Sequence, residues 1–516
     1  MVNRKTRWSI ALLGMCLVLA FAMVAQDVNA QALYGTITGS VRDTSSGAIP
    51  GVEVTATNVT TNLSLTAITN DVGNYTIPNL PNGTYNVRAV LTGFRESVTE
   101  NVTVNAGSVM RVNVVLQVGQ ITETVTVSSA ATVLKTDSSD VSAQLETREI
   151  TDLPLSAYRN YQSLINLVPG ATPARFQNAI TDTPARALTT NINGTNRNNN
   201  NTRIDGAISV NIWLPHHTAY VPPSETIEVV DVSTNNFDAE KGFAGGAATT
   251  VITKSGTNEI HGSAFWHHEN TALAAREYFF VGELPSGKRN IAGATLGGPI
   301  VKDKLFFFGG YEATIERTAQ SATGTVPLAA ERAGDFSNSI ADGLEIYDPF
   351  TGDADGFGKT MFPNNIIPGD RLDPAATKLL SAVPLPNVRL DQDVNNFQVS
   401  DTRLFNRYNY DIKGDWYRTE EHRIWGKWSW MDAEVTNAPM FGQPAMGPAI
   451  GGGGAGTGDT DVKVWGVGHN WTLSPTFLAD GNFGFTDMDQ VVAGDDLELG
   501  NYGLDTLGIP GVNNFN

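Results

Sequence analysis

Cysteine is nearly missing from these 516 residues: there is one, Cys16, and it lies within the first thirty. Residues 31–516 therefore carry no thiol. That excludes disulfides, thiolate metal sites and a thiol nucleophile, and leaves a long chain to be held by cores, ladders or a membrane. Basic charge is scarce as well. The 34 Lys and Arg residues face 53 Asp and Glu, a formal net charge of −19, which argues against a nucleic-acid partner. After residue 25 no apolar run is long enough for a membrane helix, so any insertion must be as a barrel. Long amphipathic helical patterns are almost absent, whereas Asn, Thr and Gly are abundant. What remains is a β-rich chain with room for about two to four domains.

The first thirty residues read as an export signal. Arg4, Lys5 and Arg7 precede an unbroken apolar stretch from Ile10 to Ala25, and Val28-Asn29-Ala30 supplies the small residues of a cleavage site. The apolar stretch is short against the ~20 residues of a membrane span. Cys16 follows Met15 inside that stretch, which does not suit a lipoprotein site. A signal peptide at 1–30 and a mature start near Gln31 are expected.

Residues 31–118 have the pattern of a small β-sandwich. Short alternating stretches (Gly35 to Val41, Val52 to Thr57, Asn86 to Val90) are separated by turn signals at Ser46-Gly47, Asn70 to Gly73, Pro81-Asn82-Gly83 and Thr92-Gly93. Pro50-Gly51, Gly73-Asn74-Tyr75 and Leu80 to Tyr85, in that order, resemble the carboxypeptidase regulatory-like domain, a transthyretin-like sandwich. The resemblance implies a carbohydrate-binding-like fold, leaving two roles open, glycan binding and a rigid periplasmic spacer. A seven-stranded sandwich is expected.

The next segment, 119–130, is a linker with a period-two strand. Gln117 to Ser129 alternates polar and apolar residues, and Ile121, Thr122, Glu123, Thr124, Val125, Thr126 and Val127 resemble a TonB box. Such a segment would act by adding itself to a partner's sheet edge through main-chain hydrogen bonds. The alternative is a final edge strand of the sandwich.

Residues 131–258 follow with Leu145 to Gly170, Asn191 to Gly206 and Pro222 to Gly246. Helices are expected from Thr147 and over Tyr161 to Leu167, and Arg203-Ile204-Asp205-Gly206 reads as a strand ending in a tight turn. Small and β-branched residues run up to Lys254-Ser255-Gly256-Thr257-Asn258. There the text changes to segments of about ten residues, alternating apolar and polar, with aromatics. Tyr408, Tyr410, Ile412 and Trp416 alternate with Asn409, Asp411, Lys413 and Asp415; Trp425, Trp428 and Trp430 fall within six residues; Phe477, Phe483 and Phe485 share one phase as a lipid-facing set.

Together these segments resemble outer-membrane TonB-dependent receptors of the Oar-like group. The implied fold is mainly β: an N-terminal sandwich, a small α+β plug, then the first part of an antiparallel transmembrane β-barrel over 259–516. Period-two runs give about seven or eight strands where the resemblance implies 22, so a fragment of a longer protein is expected. The resemblance also implies an outer-membrane address with a periplasmic N-terminal domain. Its partners would be the TonB energy-transducing complex, membrane lipid and an unidentified extracellular ligand, for which a glycan or oligosaccharide is one candidate. Trp213, His216 and His217 in a plug loop are candidate ligand contacts, and Lys254–Asn258 the plug–barrel seam, with Gly256 expected at positive φ. Thr318 to Asp401 reads as a long extracellular connection, and Gly451 to Asp459 as a second mobile loop.

No catalytic, metal or cofactor site is readable. His267 and His268 would point to opposite faces of a strand. Asp348, Asp353 and Asp355 lack calcium-loop spacing, and no serine sits on a nucleophile elbow. Transport by plug displacement is one reading. A surface adhesion or envelope-organising protein of the same architecture is the other, and TonB binding to a Gln117–Ser129 peptide separates them.

Overall fold

A computed structural model of the protein describes residues 34–105, 107–119, 124–128, 141–155, 157–175, 178, 180–237, 241–242, 244–275, 286–419, 421–474 and 477–512. The signal peptide expected at 1–30, together with Ile121, Thr122 and Glu123, lies outside the described residues.

The N-terminal body is a sandwich of two sheets. One pairs β1 (Gly35–Asp43) with β4 (Asn74–Leu80) and, in parallel, with β7 (Val109–Arg111) and β8 (Val114–Leu116). The other runs β3 (Ser64–Ile68), β2 (Glu53–Asn58), β5 (Gly83–Val90), β6 (Glu96–Val104) and β9 (Thr124–Ser128). Alternate residues point inward. Ile37, Val41, Val54, Ile77, Tyr85 and Val87 meet in one closed core, each at most 2% exposed. β7 and β8 break only at Val112-Asn113, so the expected seven strands are present within residues 33–118. β9 is an addition from beyond them.

The second body, which corresponds to the plug expected over 131–258, is a mixed sheet ordered β10 (Val141–Glu146), β13 (Ile227–Asn235), β14 (Ala248–Thr253), β11 (Asn201–Ile204) and β12 (Ala207–Ile208). A helix at Thr147–Asp152 and a 3₁₀ segment at Tyr161–Leu167 occupy the two expected helical stretches. Asp205 (φ 45°) and Gly206 (φ 85°) join β11 to β12. This is a two-residue turn with both φ values positive, the type that fits the strand twist.

The third body is a seven-stranded antiparallel sheet in chain order: β15 (His261–Asn270), β16 (Gly287–Val301), β17 (Leu305–Gly324), β18 (Phe397–Thr419), β19 (His422–Asn437), β20 (Gly456–Ser474) and β21 (Phe477–Ala493). Connections at the plug end are tight, as between Val301 and Leu305. Those at the other end are long, the longest spanning 325–396. Short periplasmic turns and longer extracellular loops orient the sheet in the membrane. The long connection is shorter than expected, because Thr318–Gly324 and Phe397–Asp401 continue the β17–β18 ladder. Polar residues there conceal the strand, since beyond the lipid neither face must be apolar. Gly456–Asp459 likewise belongs to β20, not to a loop.

Candidate functional site

The plug meets the barrel wall through polar side chains. On β18, Asn409, Asp411, Lys413 and Asp415 are buried toward the plug, whereas Ile412 and Trp416 face outward at 56% and 46% exposure. The Asp205 turn is the best-connected point. Its carboxylate accepts from the Thr253 amide (3.1 Å) and hydroxyl (2.5 Å), from Lys413 Nζ (3.1 Å) and from Lys427 Nζ (2.9 Å). Burial alone would raise the Asp205 carboxyl, but the two ammonium groups outweigh it and hold it well below the usual carboxylate range. One plug carboxylate thus bridges two ammonium groups on the wall, each itself nearly dry.

Further up the wall Tyr220 Oη donates to Asp411 (2.8 Å), which also accepts from Ser429 (2.5 Å). Arg407, 2% exposed, donates to Glu312 (3.2 Å) and to the Tyr158 carbonyl (3.3 Å). Apolar contact is local: Met431, Val462 and Val464 of the wall join the plug core around Val230 and Val251. Bonds of this kind can be exchanged for water one at a time, unlike a buried apolar face.

At the seam, Lys254 N donates to Thr226 O (2.9 Å). The expectation for Gly256 is corrected: its φ lies outside the left-handed region, and space is what demands glycine. A Cβ there would lie 2.3 Å from the Phe307 carbonyl oxygen and 2.7 Å from that of Gly298. Asn258 ties the seam to its surroundings, donating to Asp303 Oδ1 and to Thr61 O of the sandwich, both at 2.7 Å.

The sandwich is seated on this seam. Leu63 packs with Phe306 and Tyr417 of the wall, Asn82 donates to Glu228 (3.4 Å), and Asn105 donates to Gln144 (2.6 Å). The Arg423 guanidinium is 5.4 Å from the Tyr34 ring and 5.5 Å from the Tyr417 ring. A cavity of about 310 Å³ lies where the three bodies meet, lined among others by Tyr34, Asn82, Asp205, Glu228, Lys413 and Arg423.

The plug's other end carries the candidate ligand residues. Asn211 Oδ1 accepts from the Trp213 and Leu214 amides, and Asn211 Nδ2 donates to Gln490, near the extracellular end of β21. Ile212 and Trp213 stand 89% exposed on this loop. His216 and His217 lie together (ring centroids 4.4 Å apart), and both Nε2 atoms contact Asn178 Oδ1. His217 is only 3% exposed, and burial followed by the neighbouring His216 lowers its pKa to about 3. It packs inside the plug and lines a small internal cavity with His216, whereas Trp213 stands open to solvent. The twin lysines on Asp205 were missed, because their positions in sequence look like ordinary alternation. On β15, His267 meets Arg159 and His268 meets Asn290, as opposite strand faces require.

For the TonB-box-like stretch, only Thr124, Val125, Thr126 and Val127 lie within the described residues. They form β9, on the edge of the sandwich.

Two family models match the chain: the outer membrane β-barrel domain over residues 252–516, and the carboxypeptidase regulatory-like domain over 36–117. The TonB-dependent transporter Oar of Myxococcus xanthus is 29% identical over 323 residues, 60% of this chain and 29% of that protein. The chain thus spans less than a third of the length of the curated relative it matches. A mutant ferric enterobactin receptor (PfeA) from Pseudomonas aeruginosa, solved with enterobactin, aligns at 14% identity and a TM-score of 0.38, over 68% of this chain and 41% of that one. The siderophore receptor PirA from Acinetobacter baumannii aligns at 15% identity and a TM-score of 0.31, over 68% and 48%.

Proposed function

The chain belongs to the outer-membrane β-barrel domain family, as a receptor of the Oar-like TonB-dependent group, and on that premise we propose that it imports an extracellular ligand by plug displacement. The ligand would settle over the plug apex, where Ile212 and Trp213 are presented, and TonB would draw the plug away from the wall. The observation that carries this reading is the plug–wall contact. Asp205, Tyr220 and the Tyr158 carbonyl hold the wall through separate polar bonds that water can replace. The plug is continuous with the barrel only at the seam, so it can shift without breaking a sheet.

For the sandwich the reading favours a docked periplasmic domain over a glycan binder. Tyr75 and Tyr85 are buried with their hydroxyls donating to Val112 O and Pro81 O, and Tyr34 is committed to Arg423. Among its described residues no fully exposed aromatic stands ready to stack on a sugar.

The absence of cysteine from residues 31–516 permits a labelling test, with the same receptor lacking the introduced cysteine as the control. Thr226, 1% exposed, lies against Gly310 of the wall. In cells producing the full-length Thr226→Cys receptor, a maleimide is expected to label this site when the inner membrane is energised and not after an uncoupler. Equal labelling in both conditions would leave plug displacement unsupported and favour an adhesion role.

A further inference from the structure

The sandwich touches both bodies that must part when the plug moves, and it holds them unequally. Toward the wall it presents the β2–β3 loop, which is preformed. Asn58 Oδ1 accepts from the Thr60 amide (2.9 Å), the Thr60 hydroxyl (2.8 Å) and the Thr61 amide (3.0 Å), and Asn62 takes the left-handed conformation (φ 57°). The Thr60 and Thr61 carbonyls accept from Asn258 N (3.3 Å) and Nδ2 (2.7 Å). Asn258 is in turn fixed to the β16–β17 turn of the wall, where its Oδ1 accepts from Asp303 N (2.9 Å). Leu63, 8% exposed, seats the loop against Phe306 and Tyr417, whose rings meet edge to face at 5.7 Å. Toward the plug the sandwich reaches with side-chain hydrogen bonds, Asn82 to Glu228 (3.4 Å) and Asn105 to Gln144 (2.6 Å), and all four residues are half-buried.

We infer that the sandwich is a fixed mount on the periplasmic rim of the wall. In transport the plug parts from it along the Asn82–Glu228 and Asn105–Gln144 line, while the Asn58–Leu63 loop stays seated. This rests on the plug-displacement reading and adds to it the body that the plug leaves behind. Strength decides which contact yields. Water can replace half-buried hydrogen bonds one for one, so breaking them costs little. It cannot replace the burial of Leu63 between two aromatic rings, nor the Arg423 guanidinium on the Tyr34 and Tyr417 rings. Residues 119–140 join the sandwich to the plug, so a pull on that stretch loads both sets of contacts at once, and the weaker set opens. The Asp205 turn lines the same cavity as Tyr34 and Asn82. The turn would leave that cavity with the plug, and the sandwich would remain as its floor.

The test starts from cells producing the full-length Thr226→Cys receptor, which has no native cysteine in residues 31–516. A short bis-maleimide, added under an uncoupler while position 226 is buried, links one of two further pairs. Thr61→Cys with Asp303→Cys, the residues that Asn258 bridges, ties sandwich to wall; Asn105→Cys with Gln144→Cys ties sandwich to plug. Linked receptor is recognised by its gel mobility, the uncoupler is washed out, and Thr226→Cys is labelled with a maleimide. The wall-linked receptor is expected to label at the rate of the unlinked one, and the plug-linked receptor to stay unlabelled. Loss of labelling in the wall-linked receptor would mean that the sandwich must leave the wall. Undiminished labelling in the plug-linked receptor would mean that it travels with the plug. Either result overturns the mount. If the unlinked receptor fails to label, plug displacement itself is refuted, and the seat is judged separately in isolated outer membranes. There Leu63→Cys should resist a maleimide that labels Val59→Cys, which is 50% exposed on the same loop; equal labelling of the two overturns the seat.

Discussion

The sandwich and the barrel wall use the same two-residue rhythm with opposite sign. In β1 the residues that face inward are Ile37 and Val41, and Thr38 and Ser40 face out. In β18 the inward set is Asn409, Asp411, Lys413 and Asp415, while Ile412 and Trp416 face out. The pleat supplies the period in both cases. The medium on each side decides which set is apolar: water outside the sandwich, lipid outside the wall. A polar interior is stable in the wall because the plug brings matching partners to it. Its stability is therefore shared between two bodies, whereas the sandwich keeps its own.

Breaking that difference at its strongest point should give the largest effect. Asp205→Ala leaves Lys413 and Lys427 dry and without the carboxylate they share, at an expected cost of about 3–5 kcal/mol to plug docking. Protease resistance of the plug in the full-length receptor reads this out, and unchanged resistance would contradict the pairing. Next, a lysine placed on the outward phase should separate the two bodies. Ile412→Lys is expected to cost about 2–4 kcal/mol near the membrane midplane. Thr76→Lys, on the exposed face of β4, should stay within about 0.5 kcal/mol. Chemical unfolding midpoints in lipid compare them; similar midpoints would mean that 412 does not face lipid.

Smaller again is Gly256→Ala, with about 1–3 kcal/mol from overpacking against the Phe307 carbonyl. Thr257→Ser should be tolerated, and heat-modifiable gel mobility distinguishes the two. At neutral pH the smallest effect is that of His217, which is read as a pH slope. His217 is neutral when folded because its folded pKa, about 3, lies below the unfolded value of about 6.5. Its contribution is fully present above pH ~6.5 and is lost progressively as pH falls toward 3. His217→Asn should flatten that slope in plug protease resistance; an unchanged slope would assign the pH dependence elsewhere.

Period and punctuation made the architecture readable. Turn dipeptides such as Asn82-Gly83 mark the sandwich, and the Asp205-Gly206 pair marks a tight hairpin, because local backbone geometry restricts which residues fit. Contacts between bodies were not readable. Nothing in the spacing of Asp205, Lys413 and Lys427 brings them together; only the seating of plug in wall does. Gly256 shows the same limit more finely. Its identity was legible and its reason was not, since positive φ and a neighbouring carbonyl select the same residue. For β9, a threonine–valine alternation reads alike as a free segment and as a docked edge, and β6 decides which.

The β17–β18 ladder has a consequence for where encounter begins. β18 is 23 residues long, roughly 75 Å at ~3.3 Å per residue, against an apolar band of about 25 Å. Even strongly tilted, the ribbon stands well clear of the bilayer, with its pairs in register throughout. The 325–396 connection is therefore carried on a stiff mast. It meets the medium beyond the crowded headgroup layer, and the receptor samples a volume of solution, not only the plane it is set in.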